Sequence, residues 1–255
     1  MPRFFVRRDA VTDGLVHITG EDARHISRSL RMAVGEPLTV CDMQKIEYEC
    51  ILERITDSEV YARILSERQS EAEPQYVARL FQALPKGDKL DSVIQKSVEC
   101  GVCEITPFES ERCVVRMKPD AEGKKTERRQ RIAAEAAKQS GRAVLPTVRE
   151  TVGYSEMLEL AAESDVCLFC YEGDGTLPLG QALRAEALKK RILDGECPTV
   201  SIVIGSEGGF SLDEVARARE KGMAICGLGK RILRTETAAA FVLGCLVYAL
   251  ELCGD

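Results

Sequence analysis

The sequence predicts an α/β protein in which a small β-rich domain precedes a larger one built on a mostly parallel sheet with helices on both faces. Three observations carry this. Short apolar segments crowd the first 64 residues, a polar stretch at residues 66–75 (SERQSEAEPQ) interrupts them, and strand-like and helix-like segments alternate from there on. The chain has 255 residues, 45% of them hydrophobic and 30% charged, enough for two packed cores and too apolar for a disordered chain.

In the first domain, residues 15–18, 37–41, 48–55 and 60–64 read as strands, with one helical interruption at about 21–32. The polar stretch reads as a linker, so the expected domains are 1–70 and 74–255. Beyond it, residues 77–84, 103–108, 144–148, 165–170, 199–204 and 223–228 read as strands. Leu90, Val93, Ile94, Ser97 and Val98 mark one face of a helix that Gly101 ends. Further helices are expected at 126–140, 154–162, 178–193, 211–221 and 235–252. Strand, helix and strand in alternation is the pattern of a parallel sheet, and no internal repeat is visible.

Two glycine-bearing loops carry the chemistry. In VSIVIGSEGGFSLDE (residues 200–214) a buried-strand run ends at a loop with three glycines, Gly205, Gly208 and Gly209, and Ser211 with Glu214 forms a capping box that opens a helix. Glycines at the carboxyl end of a parallel strand let backbone approach a ligand closely. In GLGKRILRTET (residues 227–237) a second loop follows a strand, but Ile232 stands where a dinucleotide fingerprint needs its third glycine. Arg234 sits between these loops and needs an anion, either a ligand or a carboxylate such as Glu207 or Glu236. The helix after it is apolar nearly all round, which suits burial in the domain or at a subunit interface.

The net charge of -6 argues against a nucleic-acid partner only until its distribution is considered. Residues 112–142 hold ten basic and four acidic side chains, or +6, which leaves the remainder at -12. Arg24, Arg28 and Arg31 fall at i, i+4 and i+7 opposite Ile26 and Leu30, with Arg3, Arg7 and Arg8 nearby. Either cluster alone is a solvated face; two of them flanking two glycine loops suit a phosphate backbone.

Eleven cysteines, odd in number and scattered from Cys41 to Cys253, suit reduced thiols in a cytosolic protein. Cys167 and Cys170 lie three apart in a strand and point to opposite faces; Cys100 and Cys103 straddle a helix end. Both pairs read as packed thiols, so a thiol oxidoreductase is remote. With only His17 and His25, a metal site or a Ser/His/Asp triad is not expected. The longest apolar run, residues 238–250, is 13 residues against the ~20 of a membrane span, and the N-terminus has no apolar signal core, so a soluble, cytoplasmic protein is expected.

Taken together, these motifs resemble the SPOUT methyltransferases, and specifically the RsmE family, which methylates N3 of the uridine at position 1498 of 16S rRNA. The resemblance rests on IGSEGGFSLDE and LGKRILRTETA, with PRFFV, HISRSLRMAVGE, PKGDKLDSVIQKSVECGV, SERCVV and EAAKQSGRAVLP in support, and covers essentially the whole chain. It implies a PUA-like β-barrel followed by a SPOUT domain with a deep C-terminal trefoil knot. It also implies a homodimer, S-adenosylmethionine (SAM) as cofactor, and 16S rRNA, within the small subunit, as partner. By motif, Tyr171, Gly205, Glu207, Gly208, Gly209, Leu228, Gly229, Ile232, Leu233 and Thr237 would surround the cofactor.

For the catalytic step the candidates are Arg234, to stabilise a uracil anion or grip the adjoining phosphate, and Glu236 or else Glu207 or solvent as proton acceptor. Arg3, Arg24, Arg28, Arg31, Lys86, Arg112 and Arg142 are expected to face RNA. This chain departs from the family at Ser206, usually Pro, and at Cys100, commonly Leu. A SPOUT enzyme with another target and a non-catalytic RNA-binding protein are the rival readings.

Overall fold

The computed structural model describes residues 1–117 and 119–253. Lys118, one of the ten basic residues of the 112–142 segment, and the final Gly254 and Asp255 of the expected second domain lie outside them. The chain packs into two compact units, one of residues 1–73 with 137–145 and one of residues 74–136 with the chain from 146 onward.

The first unit contains β1 (Arg3–Phe5), β2 (Val11–Thr12), β3 (Leu15–Thr19), α1 (Gly20–Arg24), β4 (Pro37–Cys41), β5 (Ile46–Ile55) and β6 (Glu59–Gln69). They form a six-stranded sheet in the order β1-β4-β5-β6-β3-β2, antiparallel except where β1 joins β4. Period-two alternation turns Val16, Ile18, Leu38, Val40, Leu52, Val60 and Ala62 to one core, closed by Phe4 and by Ala23 and Ile26.

The expected linker and helix both differ here. Residues 66–69 extend β6, pairing Tyr48 with Glu67 and Ile46 with Gln69, because a backbone ladder does not need apolar side chains. The expected helix at 21–32 narrows to α1. A wider turn follows, with Leu30 N–H donating to His25 O, and Arg31 then takes φ 53°, so Arg24, Arg28 and Arg31 do not share a helical face.

In the second unit are β7 (Val77–Ala83), α2 (Lys89–Glu99), β8 (Glu104–Glu109), α3 (Pro119–Gln139, its last turn counted with the first unit), β9 (Thr147–Val148), β10 (Val152–Gly153) and α4 (Tyr154–Ala162). There follow β11 (Val166–Cys170), β12 (Leu177–Pro178), α5 (Leu179–Leu183), α6 (Ala185–Leu193), β13 (Thr199–Ile204), α7 (Leu212–Glu220), β14 (Ala224–Gly227) and α8 (Thr235–Val247). The sheet is parallel throughout, in the order β10-β8-β7-β13-β11-β14-β12, with β9 joined to β8. Its central strands are buried along nearly their whole length, as a sheet covered on both faces requires.

Three expected elements are altered. Only Thr147–Val148 of the 144–148 segment pairs as a strand, since the Val144 N–H instead donates to Glu73. The helix at 178–193 breaks at Arg184, whose φ is 52°. The last helix passes from α8 into a wider turn at Tyr248–Leu252, giving an 18-residue segment with mean hydropathy 1.4, long and apolar enough by those measures to cross a membrane where the 13-residue run had fallen short. Its inner face packs on α2, β7 and β13.

Candidate active site

Because β7, β13, β11 and β14 are adjacent and parallel, their carboxyl ends lie on one edge of the sheet, where open α/β sheets bind ligands. The loops after β11, β13 and β14 and the start of α2 enclose a cavity of about 890 Å³ there. Tyr171, Gly205, Glu207, Gly208, Gly209, Leu228, Gly229, Ile232, Leu233 and Arg234 all line it. Thr237 is exposed, and neither it nor Glu236 belongs to the lining.

The first loop is fixed from both ends. Gly209 N–H donates to Ser206 O at 3.0 Å and closes a turn that needs φ 63° at Gly209. A Cβ on Gly208 would stand 2.9 Å from both Cβ and O of Arg112, so only glycine lets the 110–114 segment approach. Phe210 anchors the far side, packed on Phe169 with ring centroids 4.3 Å apart. The capping box forms: Glu214 N–H donates to Ser211 Oγ (3.3 Å) and Ser211 N–H to Glu214 Oε2 (2.9 Å), while Glu214 Oε1 accepts Glu111 N–H at 2.9 Å.

The second loop is tied to the first. Thr235 Oγ1 donates to Gly205 O at 2.7 Å, and Gln82 Nε2, wholly buried at the end of β7, donates to Thr235 Oγ1 at 2.8 Å. Outside this tie stands a charged cluster. Lys89 Nζ lies 2.7 Å from Glu207 Oε1 and 3.8 Å from Glu236 Oε2, and Lys86 N–H reaches Glu207 at 3.2 Å. Burial acts to raise the Glu207 carboxyl, but hydrogen bonds from Lys89 and from backbone N–H groups outweigh it and hold the carboxyl below the usual range. Glu236 Oε2 is buried with no hydrogen-bond partner among the described residues. Both carboxylates are therefore turned to Lys89, and the Arg234 side chain has no ion pair or hydrogen bond among the described residues.

The basic residues divide. Arg112 lines the cavity and donates to Gly208 O at 3.3 Å; Lys86, Arg24, Arg28 and Arg31 are exposed, with Arg28 Nη2 2.8 Å from Asp57. Arg142 and Arg3 are corrections to the expected RNA surface. Arg142 is 3% exposed and grips Glu73 through Nε (3.0 Å) and Nη2 (2.8 Å), a bidentate pair that spends its donors inside the fold. Arg3 donates to the buried Glu47 at 2.9 Å, beside Ser70 and Arg68.

Burial pushes the Cys167 thiol up to about 12, and burial with Glu99 nearby raises Cys100, which disfavours the nucleophilic thiolate at both. Among the described residues no group of three or more His, Cys, Asp or Glu is arranged to hold a metal. Sequence reasoning missed Gln82, Lys89, Thr176 and Arg231. Lys89 and Gln82 flank a strand with no glycine signature, and their relevance comes from β7 lying beside β13, an adjacency that spacing along the chain does not reveal.

Residues 71–247 match the model of an RNA methyltransferase domain, and residues 18–65 that of an RNA methyltransferase PUA domain. Two curated relatives are named ribosomal RNA small subunit methyltransferase E: one from Bacillus subtilis (strain 168), 34% identical over 92% of this chain and 90% of its own length, and one from Aquifex aeolicus (strain VF5), 31% identical over 86% and 89%. The crystal structure of the Neisseria gonorrhoeae protein of that name, bound to S-adenosyl methionine, superposes with a TM-score of 0.81 at 31% identity over 97% of each chain. An RNA methyltransferase domain behind a PUA domain is thus the class of this protein. The chain belongs to the ribosomal RNA small subunit methyltransferase E family.

Proposed function

We propose that this chain uses SAM to methylate N3 of a uridine, the one at position 1498, in 16S rRNA within the small ribosomal subunit. The carrying observation is the convergence of three loops on one cavity with Arg234, whose side chain has no partner among the described residues, in its wall. The cavity volume is within the roughly 300–1,000 Å³ of ligand pockets. The donor set fits SAM: a Cβ on Gly209 or Gly229 would meet no protein atom, so both backbones stand open to a ligand.

Two further family properties belong to this reading. A deep trefoil knot is supported by the path of the chain, which runs out to β14, two positions from β13, and then returns so that α8 packs on β13, β7 and α2. A homodimer is supported by the outer face of the last helical segment, where Phe241, Tyr248 and Leu252 are exposed, and the cytoplasm is the compartment that a small-subunit substrate implies.

When bound, SAM supplies a methyl group carried on a sulfonium cation. Gly205, Glu207, Gly208 and Gly209 of the first loop, Leu228, Gly229, Ile232 and Leu233 of the second, and Tyr171 hold it, largely through backbone. Uracil N3 is a poor nucleophile until its proton leaves. Arg234 donates hydrogen bonds to a uracil carbonyl oxygen and stabilises the anion; a guanidinium has donors and no acceptor, so it cannot act as the base. Glu207 has its oxygens engaged and Glu236 lies off the cavity wall, so the proton passes to solvent at the mouth. Because the transfer joins an anion to a cation, exclusion of water from the cavity when both substrates are bound would favour it.

The test is incubation of the protein with labelled SAM and small subunits lacking the modification, followed by mapping of the methylated base. Label at uridine N3 is expected; no incorporation into 16S rRNA overturns the reading.

A further inference from the structure

We infer that Lys89 is a positioning residue: it lets two carboxylates from separate segments, Glu207 of the first loop and Glu236 of the first turn of α8, stand together behind the cavity, and so holds both loops in the arrangement that receives SAM. The inference rests on the function proposed above for this cavity.

Lys89 is well placed for this. It is the first residue of α2, whose Leu90, Val93, Ile94 and Val98 are buried, so the base of the lysine is fixed by packing rather than by its charge. From there Nζ reaches Glu207 at 2.7 Å and Glu236 at 3.8 Å. Taken singly, the contact to Glu207 is a half-exposed ion pair, worth little. The second carboxylate changes the account. Glu236 Oε2 is buried without a hydrogen bond among the described residues, so the ammonium is the charge recorded against it. A carboxylate in that state is costly unless a cation stands beside it.

Removing the ammonium would leave two anions facing each other in a partly desolvated site. Such a pair relieves itself in one of two ways: a carboxyl takes up a proton, or the loops that carry them part. Parting is what would damage the cavity, because Glu207 belongs to its wall and Glu236 follows Arg234 and Thr235, which also line it. The other charged groups about this cluster are Arg112, Glu172, Arg231 and Arg234 on the same cavity, Lys86, whose backbone N–H reaches Glu207, and Asp88, which precedes Lys89. Among the described residues none of the three arginines makes an ion pair with Glu207 or Glu236 that would replace Lys89.

The role differs from plain structural support in its pH dependence, which two measurements read on the intact chain. The first is melting of the cofactor-free protein at pH 6 and pH 8; the second is calorimetric titration with SAM at the same two values. Wild type and Lys89→Arg should melt alike at both pH values and bind SAM with similar affinity at both. Lys89→Met should melt lower at pH 8 than at pH 6 and bind SAM about ten-fold more weakly at pH 8, within the ~5–150-fold usual for coupled sites. Lys89→Met with Glu236→Gln should lose both differences.

A Lys89→Met protein as indifferent to pH as wild type in both measurements overturns the inference. So does a double variant that keeps the pH differences of Lys89→Met. Should Lys89→Met fail to fold, the double variant, which has no second carboxylate to repel, is still expected to fold and bind, and its failure overturns the inference equally. The melting comparison stands apart from the cofactor: absence of SAM binding by wild type would remove the proposed function, whereas the cofactor-free melts decide Lys89 by themselves.

Discussion

Thr235 and Gly205 are joined by a hydrogen bond of 2.7 Å from the threonine hydroxyl to the glycine carbonyl, so the residue that opens the last helix also fastens the first cofactor loop to it. Gln82 donates to the same hydroxyl from the neighbouring strand, which makes Thr235 both donor and acceptor in a buried network. Thr235→Val keeps the shape and removes both bonds, leaving the Gly205 carbonyl with only the 3.4 Å contact from Gln82 Nε2 and that amide, still bonded to Ala83 O, one partner short. A loss of ~1–3 kcal/mol is expected for such a change, read as a lower denaturation midpoint with an unchanged slope in urea.

Arg234→Ala should separate binding from chemistry. The side chain has no hydrogen bond or ion pair among the described residues, so its removal leaves the fold and SAM affinity as they were, while methylation falls by about 10²–10³-fold, the usual cost of losing one preorganised donor to a developing anion. Calorimetry and single-turnover labelling check the two halves. Turnover at the wild-type rate would remove Arg234 from the mechanism.

Gly208→Ala places a Cβ 2.9 Å from Arg112 Cβ and O, one of them backbone. The 110–114 segment or the loop must shift, and SAM affinity should drop at least about ten-fold, since roughly 1.4 kcal/mol of strain at a binding loop is a factor of ten. Arg112→Ala should not rescue it, because the backbone oxygen remains.

Asp165 is held down to about 2 by the Thr199 backbone N–H, which donates to it at 2.7 Å, and next by Arg191. A carboxyl whose pKa is lower folded than unfolded, here about 2 against an ordinary ~3.9, adds stability above the ordinary value that is lost as pH falls through the folded one. Asp165→Asn should therefore flatten the fall in melting temperature between about pH 4 and pH 2, by a modest amount given the solvent exposure of the pair.

Arg142→Met leaves the Glu73 carboxylate, 3% exposed, without its cation. Breaking a buried pair from one side costs about 3–5 kcal/mol, so equilibrium unfolding should show the first unit melting early. Glu73→Gln in the same chain should recover part of the loss.

Much of this was legible beforehand because period-two and period-3.6 patterns are local. The capping box at Ser211 and Glu214 and the helix face of Leu90, Val93 and Ile94 needed only neighbours in sequence, and so did the two glycine loops. What could not be read was non-local. Arg142 was expected to face RNA, yet its partner Glu73 lies 69 residues away. Lys89 and Gln82 matter because β7 pairs with β13, and a strand order is not written in spacing. Arg31 was assigned by helical period, and the wider turn before it ended that period.

The assignment of residues 137–145 to the first unit, with the rest of α3 in the second, means that the backbone crosses from one unit to the other three times: after Glu73, before Ala137 and after Leu145. No single cut frees either half. A gene fragment ending at residue 73 would encode all six strands of the first sheet and yet lack the arginine that neutralises its own final carboxylate, so a recombination event joining this N-terminal sheet to another catalytic partner would have to carry a nine-residue insert along with it. The first unit is therefore not a transferable N-terminal cassette, although it has its own core.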